Sequence, residues 1–263
     1  MTNGSYFKTG YSVVNGINMY YEIHGMGEPL VLIHGGGSTI ETSFGKMIPL
    51  LRNNFRIIAV ELQGHGHTDD RNAPESFEQD ADDIACLLHN LKIPKASFFG
   101  FSNGGNTSIQ IVNRHPGIVN KLIIASTFYK REGFPPGFFD GMKNATLNDM
   151  PQPLRDAFLE ITPDSNKLFT MFTKDRDRML RFTDWSDDLL RSIKNPTLIL
   201  SGDKDVINCG HVVTMSNLIP NSRLMIIPSA HGSYMGAAES PSSDSKTIEL
   251  TAAVIKDFLN TKE

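Results

Sequence analysis

Cysteine is nearly absent from this chain, with two in 263 residues. Two cysteines cannot build a disulfide framework, and neither Cys86 nor Cys209 has a partner at the spacing of a metal knuckle. Cys86, among Ile84, Leu87 and Leu88, reads as a small core residue, and Cys209 as an incidental thiol at a helix start. Basic excess is absent too: 25 Lys and Arg stand against 29 Asp and Glu, a net charge of -4. That leaves no electrostatic footprint for nucleic acid or anionic lipid. No apolar run reaches bilayer length, and residues 1–10 are polar with no signal-peptide core. The chain is therefore expected in the cytoplasm, without membrane or nucleic-acid partners. Internal repeats and low-complexity tails are missing as well.

What is present is an ordinary globular composition, 40% apolar and 21% charged. A chain of this length can bury most of its unfolded surface in one large domain, and a second independent domain would be cramped. Residues 11–14, Asn15-Gly16 and residues 17–23 form a hairpin signature. Continuous apolar runs follow at 29–33, 56–60, 96–99, 121–126, 196–201 and 223–227, each long enough for a strand covered on both faces. Helical patterns separate them, at 42–51, around Ile84-Leu87-Leu88-Leu91, at 106–113, around Val212-Met215-Ile219, and finally around Leu250-Val254-Phe258. This alternation predicts an α/β fold, a mostly parallel eight-stranded sheet with helices on both faces.

The rhythm breaks between residues 127 and 195, where about seventy residues pass without a convincing strand. Aromatics and methionines crowd this stretch, and Leu154-Phe158-Ile161 and Leu168-Met171-Phe172 keep helical spacing. It is expected to be a helical cap, residues 127–195, inserted into a core of 1–126 and 196–263. Most of its apolar side chains would form its own core, and the surplus would face a ligand. The run 174–178, Lys-Asp-Arg-Asp-Arg, reads as a solvated, self-paired helix face.

Chemistry is expected where strands end, because open α/β sheets bind ligands beyond their carboxyl ends. Four such ends carry His34-Gly35-Gly36-Gly37, Gly100-Phe101-Ser102-Asn103-Gly104, Gly202-Asp203-Lys204-Asp205 and Ala230-His231-Gly232. A serine hydroxyl is a poor nucleophile at neutral pH and needs a base within hydrogen-bond reach. The base in turn needs a carboxylate to fix its tautomer. Ser102, His231 and Asp205 can fill these roles. The glycines around Ser102 suit a strained strand-to-helix turn.

With these motifs, and Gly64-His65-Gly66, the chain resembles the alpha/beta-hydrolase fold family from the hairpin to the last helix. The resemblance implies a cofactor-free serine hydrolase with the backbone N–H groups of Asn103 and Gly36 as oxyanion hole, Gly37 being second choice. It places the acid at Asp205, three residues after the strand-ending glycine, with Asp203 capping its loop. The chain departs from many relatives at 61–68, where Glu-Leu-Gln-Gly-His-Gly-His-Thr replaces Asp-x-Arg-Gly-x-Gly-x-Ser, and at Ala230, where Gly is usual. A serine nucleophile disfavours epoxide-hydrolase and dehalogenase chemistry, which require an aspartate ester. The expected substrate is a small, largely apolar ester or acyl compound, and the expected assembly a monomer or homodimer. Carbon-carbon hydrolysis, perhydrolysis or cofactor-free haloperoxidase chemistry would use the same triad. Two further readings are a binuclear metal site at His65-Gly66-His67-Thr68-Asp69, which lacks a second set of ligands, and a non-catalytic small-molecule receptor.

Overall fold

The computed structural model describes residues 6–240 and 245–261. The chain opens with β1 (Phe7–Val14) and β2 (Ile17–His24), paired antiparallel with Val14 opposite Ile17. Asn15 and Gly16 make the two-residue turn with φ of 43° and 90°, the left-handed geometry that matches the twist of a hairpin. The remaining strands are β3 (Glu28–Ile33), β4 (Phe55–Val60), β5 (Ala96–Phe101), β6 (Val119–Ala125), β7 (Thr197–Lys204) and β8 (Ser222–Ala230). They form one sheet in the order β1-β2-β4-β3-β5-β6-β7-β8, parallel from β4 onward. The eight-stranded α/β fold expected from the alternation is the fold observed.

Among the described residues, ten α-helices connect or cover these strands: α1 (Ile40–Phe44), α2 (Ile48–Leu51), α3 (Phe77–Asn90), α4 (Asn103–Arg114), α5 (Phe138–Asn144), α6 (Gln152–Ile161), α7 (Ser165–Arg181), α8 (Asp187–Ser192), α9 (Cys209–Leu218) and α10 (Ser245–Asn260). One helix was expected over 42–51, and two short ones occur. Pro49 has no N–H to give the carbonyl of Gly45, and its ring would clash there, so a continuous helix is blocked. Helix α3 starts where Ser76 accepts the N–H of Gln79, satisfying one of the orphan donors of its first turn.

Each face of the sheet has its own core. Val31, Ile33, Ile58 and Phe98 pack against apolar residues of α3, α4 and α9. Leu32, Ile57, Phe99 and Leu200 pack against α1, α2 and α10 on the other face. A third cluster, Met150, Leu154, Phe158, Leu168 and Met171, lies in the helical stretch between β6 and β7. The sheet order places β3 between β4 and β5, so the chain leaves β3 in one direction and returns on its other side. The carboxyl ends of β3 and β5 flank that reversal, where open sheets form a crevice. No helix among the described residues is long and apolar enough to cross a membrane. Cys86 and Cys209 are free thiols.

Candidate active site

Strand β5 runs into a turn at Ser102, whose φ and ψ are 52° and -122°. A non-glycine residue rarely adopts this conformation, and it persists only where the surroundings dictate it. Here the dictation is steric. A Cβ on Gly100 would overlap the Gly104 carbonyl oxygen, and one on Gly104 would overlap the Ile33 carbonyl oxygen. Helix α4 can therefore start directly against β3 and β5 only because both positions lack side chains. The turn leaves Ser102 at the N-terminus of α4, in the positive field of the helix dipole.

His231 follows β8, and Asp205 follows β7. The two meet: His231 Nδ1 and Asp205 Oδ1 are 2.7 Å apart. The ring nitrogen must donate to the carboxylate, which leaves Nε2 as the basic nitrogen. Asp205 is held from several sides, accepting the Ser126 hydroxyl at 2.5 Å and the Ile207 N–H at 3.0 Å. Burial opposes its charge, but His231 and these donors prevail and hold its carboxyl below the ordinary range. Burial likewise pulls His231 down, and the Asp205 bond and charge outweigh it, so its pKa is raised. The Tyr234 hydroxyl, 2.8 Å from Ser126 Oγ, extends the chain into the core. Asp203 instead accepts the N–H of Ser229 at 2.8 Å and stays out of this pairing.

Ser102 and His231 both line one cavity of about 930 Å³. Ser102 Oγ has no protein hydrogen-bond partner among the described residues; such bonds are often loose until substrate is bound. Gly36 and Asn103 are adjacent, for a Cβ on Gly36 would lie 2.6 Å from Asn103 Nδ2. Their N–H groups make no backbone hydrogen bond among the described residues. Gly37 differs, because its N–H donates to Asp175 at 2.5 Å.

That contact corrects the reading of 174–178 as a solvated face. Asp175 and Arg178 are buried, and α7 turns them toward the sheet. Arg178 donates to Asp175 and, at 2.8 Å, to Asp80 of α3; Glu75 lies 3.8 Å away. His65 completes the group, with Nδ1 2.8 Å from the Gln63 carbonyl and Nε2 2.9 Å from Asp175. Nε2 also lies 3.2 Å from the Gly37 N–H, but the Gln63 carbonyl and the Asp175 carboxylate are the nearer groups on the two nitrogens and favour the imidazolium. Burial works against that charge, but Asp175 pushes the pKa up to about 9. Asp175 itself is kept ionised despite burial by Arg178, His65 and the Gly37 N–H. His34 is the opposite case: Nδ1 faces the Gly35 carbonyl and Nε2 accepts the Leu62 N–H. Burial takes it down to about 3, and it is a neutral strut under the glycine loop.

The cavity walls come from the β6–β7 stretch. Phe128, Phe134, Phe138, Met142, Phe172 and Met179 all face it, whereas Phe158 and Met171 are consumed in the local core. Sequence reasoning missed Ser126, Asp175 and Glu239, all of which touch or line this site. The signal for Ser126 was its place at the carboxyl end of β6; Asp175 and Glu239 had none. His65 and His67 do not converge, since His67 pairs with Glu61, and no three His, Cys, Asp or Glu side chains among the described residues are grouped as metal ligands.

A family model described as the alpha/beta hydrolase fold matches residues 28–238. The chain is an alpha/beta hydrolase. It is 31% identical over 226 residues to the AB hydrolase superfamily protein YisY of Bacillus subtilis, covering 78% of this chain and 82% of that protein. It is 26% identical to the non-heme chloroperoxidase CPO-A1 of Kitasatospora aureofaciens, over 84% and 91% of the two chains. Among solved structures, the hydrolase superposes on a meta-cleavage product hydrolase from Pseudomonas fluorescens IP01 with a TM-score of 0.79. That match covers 95% of this chain and 97% of the other at 21% identity, a likeness of fold.

Proposed function

We propose that this hydrolase is a Ser-His-Asp enzyme cleaving small, largely apolar esters or related acyl compounds through an acyl-enzyme. The observation that carries the reading is the 2.7 Å pairing of His231 with Asp205 at a cavity that Ser102 also lines. His231 Nε2 takes the Ser102 proton as Oγ attacks the acyl carbon. The oxyanion rests on the Asn103 and Gly36 N–H groups, each donor being worth about 3 kcal/mol in the transition state. Gly37, whose N–H is already committed to Asp175, has no part in this. His231 then protonates the leaving group, and a water activated by the same nitrogen releases the acid and restores Ser102.

Residues 127–195 act, in this reading, as a cap whose aromatic and methionine side chains select an apolar acyl chain. Carbon-carbon hydrolysis and perhydrolysis are second readings supported by the kinds of relative named above. The test is a fluorophosphonate probe together with a panel of esters, amides and diketones. Wild type is expected to label once, at Ser102, and to turn over esters of short apolar acids. The Ser102→Ala protein should keep its fold and lose kcat by a factor on the order of 10^4 to 10^6. Near-normal ester hydrolysis by that variant would overturn the mechanism.

A further inference from the structure

Among the described residues, four that are not glycine have a positive φ: Asn15, Lys92, Ser102 and Ser126. Local structure accounts for three. Asn15 lies in the hairpin turn, and Ser102 in the tight turn before α4. Lys92 closes α3, where its N–H goes to the His89 carbonyl and that of Ile93 to the Leu88 carbonyl, the usual left-handed end of a helix. Ser126 is different. It is buried at the carboxyl end of β6, with φ of 52°, and its N–H still donates to the Leu200 carbonyl at 2.8 Å. Neither a turn nor a helix end calls for this conformation. Glycine adopts it freely, and a serine persists there only where the surroundings require one.

What glycine would not supply is the hydroxyl. The Asp205 carboxylate can only accept, so the 2.5 Å contact runs from the Ser126 O–H to Oδ2. With that proton spent, the Tyr234 O–H must donate to Ser126 Oγ at 2.8 Å, nearer than the Leu200 carbonyl at 3.5 Å. Burial holds the Tyr234 phenol well above its ordinary pKa, so it stays a donor. On Asp205, Oδ1 takes His231 and the Ile207 N–H. The other donor to Oδ2 is the Gly202 N–H at 3.4 Å, which makes Ser126 the close restraint on the rotation of the carboxylate. Tyr234 lies three residues after His231, so a chain of donors from Tyr234 through Ser126 and Asp205 returns to the segment it left. Ser126, Tyr234 and Asp205 are not among the residues lining the cavity.

We propose that Ser126 and Tyr234 are positioning residues of the base His231, and that the chain keeps a strained serine after β6, where glycine would be easier, for the sake of its hydroxyl. This inference rests on the serine-hydrolase reading above and deepens it. Tyr234 sets the direction of the Ser126 hydroxyl, Ser126 sets the plane of the Asp205 carboxylate, and Asp205 sets the His231 ring. Backbone strain at Ser126 is the cost of placing a hydroxyl at that point. Because the cavity walls are untouched, loss of the hydroxyl acts on the chemical step and not on substrate binding.

The test compares Ser126→Gly with Ser126→Ala, which both lack the hydroxyl but differ in strain. In urea, the glycine variant should unfold at the higher concentration of the two. Both should lose kcat for ester hydrolysis by about ten- to hundredfold with KM nearly unchanged. Tyr234→Phe, which leaves Ser126 in place but free to turn, should lose about threefold. Proton NMR gives a readout independent of turnover. The His231 Nδ1–H, assigned by its absence from His231→Gln, should be downfield and slow to exchange in wild type, and should move upfield and exchange faster in Ser126→Gly. An unchanged kcat in both Ser126 variants overturns the proposal, as does an unchanged resonance. A loss in Ser126→Ala that Ser126→Gly does not share also overturns it, since the backbone and not the hydroxyl would then matter. Wild-type kcat and resonance in Tyr234→Phe would remove Tyr234 from the unit. If the wild-type protein neither turns over esters nor labels with fluorophosphonate, the hydrolase reading fails, and the resonance still decides whether Ser126 positions His231.

Discussion

Ser102 shows how little of a catalytic geometry belongs to one residue. Its φ of 52° is imposed by close approaches at Gly100 and Gly104, and its proposed base is oriented by Asp205, which Ser126 and Ile207 orient in turn. Two acids sit two residues apart in sequence, and only one reaches His231, so their substitutions should differ sharply. Asp205→Asn is expected to lower kcat by about 10^4, because the ring would lose its fixed tautomer. Asp203→Asn should cost far less, as its carboxylate only receives the Ser229 N–H. The pH profile gives a second readout. Since the His231 pKa is raised, the base is lost to protonation as pH falls, and the acid limb of kcat/KM should lie above the ordinary histidine value of about 6.5. In Asp205→Asn that limb should move to lower pH. A variant limb at the wild-type position would show that His231 is not the titrating base.

At the scale of elements, α7 is the piece whose role differs most from its sequence. Apolar spacing at Leu168, Met171 and Phe172 made it helical, but the alternating charges after it suggested water. Instead Asp175 and Arg178, three residues apart and so on one helical face, tie α7 to Asp80 of α3 and to Gly37 after β3. Replacing Arg178 by Met would leave Asp80 without its cation and Asp175 with only His65. The expected loss is about 3 to 5 kcal/mol of unfolding free energy in urea titrations. Arg176→Met, which removes a partly exposed pair with Asp177, should cost below about 1 kcal/mol. Similar losses for the two would mean that the buried network does not hold α7. Local pattern could not reveal this, because a charged residue on a helix looks the same in sequence whether water or an opposing helix receives it.

The same network shapes the stability of the whole molecule. His65 has a folded pKa of about 9 against an ordinary 6.5, so the stability it contributes is fully present below pH 6.5 and is lost as pH rises through 9. Glu75 is raised to about 8 by burial, and its proton, retained on folding, is lost in the same direction. Asp175 has the opposite sign and loses its contribution only as pH falls below the ordinary carboxylate range. The melting temperature should therefore decline between pH 7 and about 9.5, His65 accounting for on the order of 3 kcal/mol. Scanning calorimetry of His65→Asn should show a flatter decline over that interval; an identical slope would remove His65 as its source. The sequence by itself determined the sheet and its order of elements, because strand-length apolar runs, the Asn15-Gly16 turn and the glycines around Ser102 act through local sterics and burial. It also marked the strand ends that carry Ser102, Asp205 and His231. Only the tertiary structure decided that Asp205 and not Asp203 meets His231, and that Gly37 is bound by Asp175. Those outcomes depend on distances between residues up to 138 positions apart, and such distances are fixed by packing, which no local pattern records.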